Sequence, residues 1–472
     1  MEGSPDASPV AWPAKPAAKQ AAAQPKQNPP GPRGWLLVGS LPAFYWDPLG
    51  FNRHIADRYG DVVLVRIAGL SYYVLSNPDD IEAVFVTKNR DFRKGRLGAE
   101  RRLLFGNGLA TSDGDLWRRQ RRLAQPAFHR ERIAAYGESM VAFTEEMTAA
   151  WRDGEVRDLH ADMMRVTLRN VAHTLFGTDA SREATEVAAA LEVVMKFLSL
   201  EEGFLLRLLP RGMPTPGRVR FRRAVERLDR IVFDMIARRR RSGKDTGDLL
   251  SLLLAAQDED GSQMSDQQLR DEAMTIFLAG HETTALALSW TFALLAQHRE
   301  VEARLAAEVL ALGGQPPRVA DLPRLRYAEK VVKEAMRLYP PAWILARQAL
   351  RDVDIGGYRI PAKAFVVMSQ WVVHRDPRHF ADPDRFLPER WTEEFERRLP
   401  RHAYFPFGGG QRVCIGAPFA MMEAILVLAT VARRFRFSLL PGRRVVPEPS
   451  LSLRPKGGMW GTVNQRHTGE SV

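Results

Sequence analysis

Apolar positions recur at three- and four-residue intervals over much of the chain. The spacing predicts helices over 51–59, 78–86, 133–151, 163–176, 184–200, 219–239 and 327–338. In 219–239 the apolar stripe is Phe221, Val225, Leu228, Val232 and Met235, with arginines on the other faces. Residues 61–67 and 72–75 read as a strand pair, and 354–360 with 364–370 as a short hairpin. Helical patterns outnumber strand patterns throughout.

The longest helical pattern begins at Ser265-Asp-Gln-Gln268, a capping box that Met264 and Leu269 are placed to staple. It runs to about residue 297 and so spans roughly 45–50 Å. Apolar on several faces from 276 to 295, such a helix crosses the middle of a core. At its centre stands Ala279-Gly-His-Glu-Thr-Thr284. A glycine, an acid and two threonines in mid-helix work against helix propensity, and such local conflicts mark function. His281-Glu282 opens like the zinc-hydrolase H-E-x-x-H helix, but position 285 is Ala and the second ligand is missing.

Between the periodic segments the chemistry concentrates. Residues 87–113 are irregular, with four glycines and five arginines, and a loop of that length is commonly functional. Trp117 and Arg121 are four apart on one helix face, where an indole N–H and a guanidinium form either an anion site or a surface stack. The apolar, proline-broken connection at 204–217 reads as a mobile lid, a membrane-touching tip or a packed loop. Glu334 and Arg337 make an i,i+3 pair on a helix that Pro340-Pro341 stops. A proline-rich stretch holding His374-Arg-Asp-Pro377 and 386–391 then leads into Phe405-Pro-Phe-Gly-Gly-Gly-Gln-Arg-Val-Cys-Ile-Gly416. Glycines precede Cys414, and an apolar run with Pro418 early in it follows, so the sulfur sits just before a helix N-terminus. The macrodipole and unpaired N–H donors there favour thiolate. Cys414 is a candidate ligand or nucleophile, against the alternative of a buried small hydrophobe.

Composition narrows the classes. Cys414 is the one cysteine among 472 residues, so there is no internal disulfide, which is compatible with a reducing cytoplasm. Residues 1–28 are rich in Pro, Ala and Lys, contain no signal peptide, and are expected to be disordered. No apolar run reaches the roughly 18 residues of a membrane span. Residues 29–472 contain no linker-like break, so one large fold or two domains follow. Net charge is +12, from 68 Lys+Arg against 56 Asp+Glu. The arginines are scattered through amphipathic helices, which points to solvated faces first and a basic surface for an acidic protein second, and not to nucleic acid.

Four motifs in this order resemble the cytochrome P450 family from about residue 29 onward. Phe407-x-x-Gly410-x-Arg412-x-Cys414-x-Gly416 matches the cysteine-loop signature at every fixed position. Glu334-x-x-Arg337, with Arg390 after Pro388-Glu389, matches the buried charge cluster; Trp391 stands where Phe is usual. Residues 279–284 match the oxygen-activation segment, and Trp117-x-x-x-Arg121 matches the heme-propionate motif.

The resemblance implies a cytochrome P450 fold, mainly α with small β-sheets (α+β), as a single heme domain over 29–472 with a long central helix over the heme. It makes Cys414 the axial thiolate of a heme b, with Gly410 and Gly416 shaping its loop and Phe407 beside it. Trp117, Arg121 and Arg412, with Arg347 and His374, would hold the propionates. Thr283 would hydrogen-bond dioxygen, Glu282 with water would relay protons, and a helix bulge at Gly280 would make room. Glu334, Arg337 and Arg390 would be structural. Substrate contact falls to Leu104, Phe105, Phe204, Phe277, Trp343, Ile344, Leu345 and Leu451, which suits a fatty acid, terpenoid or steroid.

The expected activity is a cytoplasmic, monomeric monooxygenase that hydroxylates or epoxidises an apolar substrate with O2. Its electrons would come from NAD(P)H through a ferredoxin or flavodoxin and its reductase, since only about 55 residues follow Cys414. A peripheral membrane contact and no transmembrane anchor complete the expectation. The alternatives are a peroxide-driven heme-thiolate peroxygenase and a non-catalytic heme ligand sensor; neither needs the acid and alcohol at 282–283.

Overall fold

The computed structural model describes residues 28–95, 99–177, 181–198, 213–257 and 261–466. Phe204, most of the proline-broken connection and the N-terminal extension lie outside the described residues.

The capping box at Ser265 forms in both directions, and Asp266–Gln297 is one continuous α-helix of 32 residues. Between Leu269 and Leu295 every residue is buried except Ala279, Gly280 and Thr283. Packing on all sides holds this helix, since it has no solvent-facing stripe. The three exceptions share one side, which opens on a cavity. The bulge expected at Gly280 is not formed. The hydroxyl of Thr283 donates to the Ala279 carbonyl at 2.6 Å and that of Thr284 to the Gly280 carbonyl at 3.1 Å, so the helix backbone absorbs both. Gly280 serves packing: a Cβ there would stand 2.6 Å from Val171 Cγ2, on the neighbouring helix Leu159–Phe176.

Helices Arg326–Leu338 and Ala417–Arg434 also pack on the central helix. Trp290 stacks on Tyr339 with centroids 4.1 Å apart and donates Nε1–H to the Leu453 carbonyl at 2.9 Å. That contact ties the C-terminal segment to the middle of the molecule. Periodicity overran one boundary: 133–151 is two helices, Arg130–Ala135 and Gly137–Ala149. It also passed over Ala99–Phe105 and Arg299–Leu310, both helical.

The main sheet has the spatial order Val62–Ile67, Leu70–Leu75, Phe365–Met368, Leu345–Ala349, Phe92–Arg93. The expected 354–370 hairpin is divided. Val353–Ile355 pairs with Tyr358–Ile360, while Phe365–Met368 lies parallel to Leu70–Leu75 and antiparallel to Leu345–Ala349. A strand buried at Val366, Val367 and Met368 belongs in a sheet interior rather than on a hairpin's outer arm. The edge register pairs Phe92 with Ala349 and Arg93 with Gln348. Lys94 and Arg347 therefore emerge side by side at the end of the sheet. A second sheet joins Glu155–Asp158, Trp460–Gln465 and Phe435–Leu439.

The segment between these sheets and the cysteine loop has little regular structure, and a buried charge cluster fixes it. Both side chains of the Glu334–Arg337 pair are fully buried. The Arg337 guanidinium donates to both Glu334 oxygens at 2.9 Å and to the carbonyls of His374, Pro383 and Arg385. Glu334 also accepts from Arg390 Nε and Trp391 Nε1, each at 2.9 Å, and from the Leu387 N–H at 3.0 Å. Every strong donor is matched, the condition under which a buried ion pair holds a loop rather than weakening it. Trp391 thus supplies an N–H that Phe could not.

Candidate functional site

A cavity of about 390 Å³ lies between the central helix and the 405–421 segment. Its floor is the glycine loop. Gly410 has φ +65°, and a Cβ there would fall 1.9 Å from the Phe85 carbonyl oxygen, so no other residue fits. Gly408 accepts the left-handed region at φ +72°. The Cys414 N–H donates to the Phe407 carbonyl at 2.9 Å, and Val413 N–H to Gly410 at 3.1 Å. This turn lifts Cys414 to the cavity floor, with Phe407 and Gly416 beside it. The helix Ala417–Arg434 starts immediately after, capped at Gly416.

Cys414 is exposed, but onto a protein-walled cavity. Burial pushes its thiol up, opposed by the Gly416 and Ala417 backbone and by the charges of Arg121 and Lys94. The helix N-terminus acts in the direction expected from the sequence, and desolvation outweighs it.

Cations crowd one end of the cavity. Trp117, Arg121, Arg347 and Arg412 all line it, and Lys94 joins them. Arg412 stacks 4.3 Å over the Trp117 ring and donates to Asp113 Oδ1 at 2.7 Å; its buried Nη1 has no partner. Arg121 donates to the Val413 carbonyl at 2.9 Å. Burial lowers Arg121 and Arg412, and lowers Arg347 to about 10. Lys94 is lowered to about 7, by burial and then by Arg347 and Arg412. Asp113 is the acid bonded within this group. Four cations gathered around one carboxylate, with Lys94 depressed by Arg347 and Arg412 and Arg347 by Arg412, form a site short of negative charge. It can hold an anionic group whose other face meets the Cys414 sulfur.

His374 does not belong to this group. It is fully buried outside the cavity, where Nε2 accepts the Phe405 N–H at 2.9 Å, and burial holds its pKa well below the usual histidine value. Its work is on the segment leading to the glycine loop.

On the opposite wall, Ala279, Gly280, Thr283 and Thr284 line the cavity, but Glu282 does not. Successive helix residues point about 100° apart, and Glu282 faces the C-terminal segment. Its Oε1 accepts from Ser452 Oγ at 2.7 Å and from Arg454 Nε at 2.6 Å. A second buried acid is Glu423, on the cysteine helix between Met421 and Ala424, which line the cavity while Glu423 itself does not. It is fully buried and accepts from Asn170 Nδ2 at 2.8 Å, and burial pushes its carboxyl up to about 8. Neither Lys94 nor Glu423 is marked by a sequence motif. Lys94 could have been found only through the strand register, and Glu423 only as an acid inside an apolar helical run.

The rest of the lining is apolar, including Leu109, Val171, Leu249, Ile276, Ala287 and Leu345. Of the expected substrate contacts that fall among the described residues, Leu345 alone lines the cavity. Leu104 and Phe277 are core residues, and Phe105 and Leu451 pack against that core. Trp343 is buried with Nε1 bonded to the Ser450 carbonyl at 3.0 Å, and Ile344 packs beside it. These residues form the layer behind the wall, where their size serves packing.

Residues 29–461 match the family model described as Cytochrome P450. The chain is 39% identical to a cyclooctatin synthase of Streptomyces melanosporofaciens, over 92% of this chain and 95% of that one. It is 38% identical to a cyclooctat-9-en-7-ol 5-monooxygenase from the same organism, over 88% and 93%. A pentalenene oxygenase of Streptomyces avermitilis is 39% identical, over 85% and 89%. Among solved structures, a retinoic acid-bound cyanobacterial CYP120A1 superposes with TM-score 0.85 at 26% identity, covering 93% of this chain and 100% of that one. A cytochrome P450DA heme domain superposes with TM-score 0.86 at 28% identity, covering 95% and 100%.

Proposed function

The chain belongs to the cytochrome P450 family, and we propose that its substrate is a cyclic terpenoid hydrocarbon or alcohol, oxidised in the cavity above Cys414. It is a heme-dependent monooxygenase that takes electrons from a redox partner. When bound, heme b supplies the oxygen chemistry: one atom of O2 enters a substrate C–H or C=C bond, and the other leaves as water with two electrons and two protons.

The residues present fit this cofactor. The cation cluster lacks the negative charge that two propionates carry, and the unpartnered Nη1 of Arg412 lacks an acceptor. Arg121, Arg347, Arg412 and Lys94, with Trp117 stacked beneath Arg412, would hold the carboxylates. Cys414 would hold the heme iron through its sulfur, with the backbone N–H groups of Gly416 and Ala417 directed at that sulfur.

The chain's own work is to bind, orient and deliver protons. Leu109, Val171, Leu249, Ile276 and Leu345 exclude water and favour a greasy substrate. Thr283 presents a hydroxyl at the cavity wall beside Gly280. Glu282 holds Arg454 and Ser452, so its first role is to fix the C-terminal segment. Residues 29–472 act as one heme domain, monomeric and cytoplasmic, with a ferredoxin or flavodoxin docking on the cysteine side.

The observation that carries this reading is the convergence of Cys414, the cation cluster and an apolar wall on one cavity. The relatives' names, a pentalenene oxygenase and a cyclooctat-9-en-7-ol 5-monooxygenase, support the terpenoid class. A Soret-shift titration with terpenoids, fatty acids and steroids tests it. Tight binding of cyclic terpenoids is expected, and tight binding of small charged compounds alone would refute the apolar-pocket reading.

A further inference from the structure

Far along the chain from the cavity residues, one apolar feature of the fold is uncovered. Trp35 and Gly39 exchange backbone hydrogen bonds of 2.8 Å in both directions, closing a turn that carries Leu36 and Leu37 at its tip. Leu36 is 104% exposed and Leu37 88%, with Trp35 at 73%. Trp46, ending the short helix Leu41–Trp46, is 82% exposed. Leu70, beside the turn between the first two strands, is half-exposed. The backbone holds this turn in place: Ser40 N–H donates to the Arg66 carbonyl at 2.7 Å and Ala68 N–H to Val38 at 3.2 Å. Gly39, at φ +62°, lies so close to Arg66 that a Cβ would fall 2.1 Å from its carbonyl oxygen. The leucines are therefore displayed by a docked turn and not by a frayed end.

We propose that this turn, with Trp46 and Leu70, inserts into the headgroup boundary of a bilayer carrying anionic lipids. Tryptophan and leucine on a protruding tip suit that boundary, where the indole N–H stays wet and the aliphatic groups enter the acyl layer. The flanking charge is complementary: Arg33 and Arg66 are exposed beside the tip, and among the described residues neither has an ion-pair partner. No helix among the described residues is long and apolar enough to cross a membrane, so the contact described is with one leaflet. It does not depend on the substrate assignment, though an apolar substrate dissolved in the bilayer would be concentrated where the protein sits.

Flotation of the full-length, heme-loaded chain with phosphatidylcholine vesicles, with and without phosphatidylglycerol, provides the test. The chain should float with the anionic vesicles. Leu36→Asp with Leu37→Asp should lower its partition coefficient at least about tenfold while leaving the reduced carbon-monoxide spectrum unchanged. Arg33→Glu with Arg66→Glu should remove the dependence on phosphatidylglycerol. Failure to float, equal flotation on phosphatidylcholine alone, or flotation indifferent to the leucine changes would overturn the proposal. A concentration-dependent dimer dissolved by the leucine changes, without flotation, would assign the turn to a second copy instead.

Discussion

The carboxylate of Glu282 is bonded to Arg454, 172 residues further along the chain, while the next residue, Thr283, faces the cavity. One helical step separates a side chain that fixes the fold from one that meets the reaction space. Arg454→Met should leave Glu282 buried without its cation and cost about 3 kcal/mol in denaturant unfolding. Combining it with Glu282→Gln should recover part of that loss, giving a coupling energy of about 1–3 kcal/mol. Strict additivity would mean the pair contributes nothing.

Thr283→Ala removes the hydroxyl at the cavity wall while keeping the helix, since its Oγ only supplements backbone bonding at Ala279. Coupling of NAD(P)H use to product should fall, with peroxide release rising, at unchanged thermal stability. Full coupling in the variant would remove Thr283 from proton delivery.

Trp391 donates its indole N–H to Glu334 at 2.9 Å. Trp391→Phe should leave that buried oxygen one donor short and destabilise by roughly 1–3 kcal/mol. Arg337→Ala breaks the core of the same cluster and should cost about 3–5 kcal/mol or prevent heme incorporation. A Trp391→Phe protein as stable as the parent would show that the remaining donors suffice.

Glu423 gives the protein a pH dependence of definite sign. Its folded pKa, about 8, lies above the usual value of 4.5. Below about 4.5 the carboxyl is neutral in both states. Between about 4.5 and 8 only the unfolded chain releases the proton, so this contribution to stability declines as pH rises, by up to ~1.4 kcal/mol per pH unit. Above 8 it levels off. Glu423→Gln should flatten the decline in thermal-melt series across that window, and an unchanged slope would contradict the assignment.

Much of this was legible in the residues and some was not. The cysteine loop, the charge cluster and the central helix announce themselves because short-range rules govern them: positive φ at Gly408 and Gly410, a capping box at Ser265, and i,i+3 spacing at Glu334 and Arg337. Arg347 beside Lys94 depends on strand register between segments some 250 residues apart, which periodicity does not encode. The expected wall of Leu104, Phe277 and Trp343 failed for a related reason. A large apolar side chain serves a core and a pocket equally well, and only the tertiary contact decides. That Glu282 turns to Arg454 while Thr283 faces the cavity was not legible, because helical phase relative to the cavity cannot be read from the helix alone.

The central claim is that Cys414 binds the heme iron as thiolate. The absorbance spectrum of the reduced, carbon-monoxide-bound protein tests it most directly. A Soret maximum at the long-wavelength position peculiar to thiolate ligation is predicted, and Cys414→Ala should abolish it. Retention of that band in the variant, or its absence from the heme-loaded parent, would contradict the account.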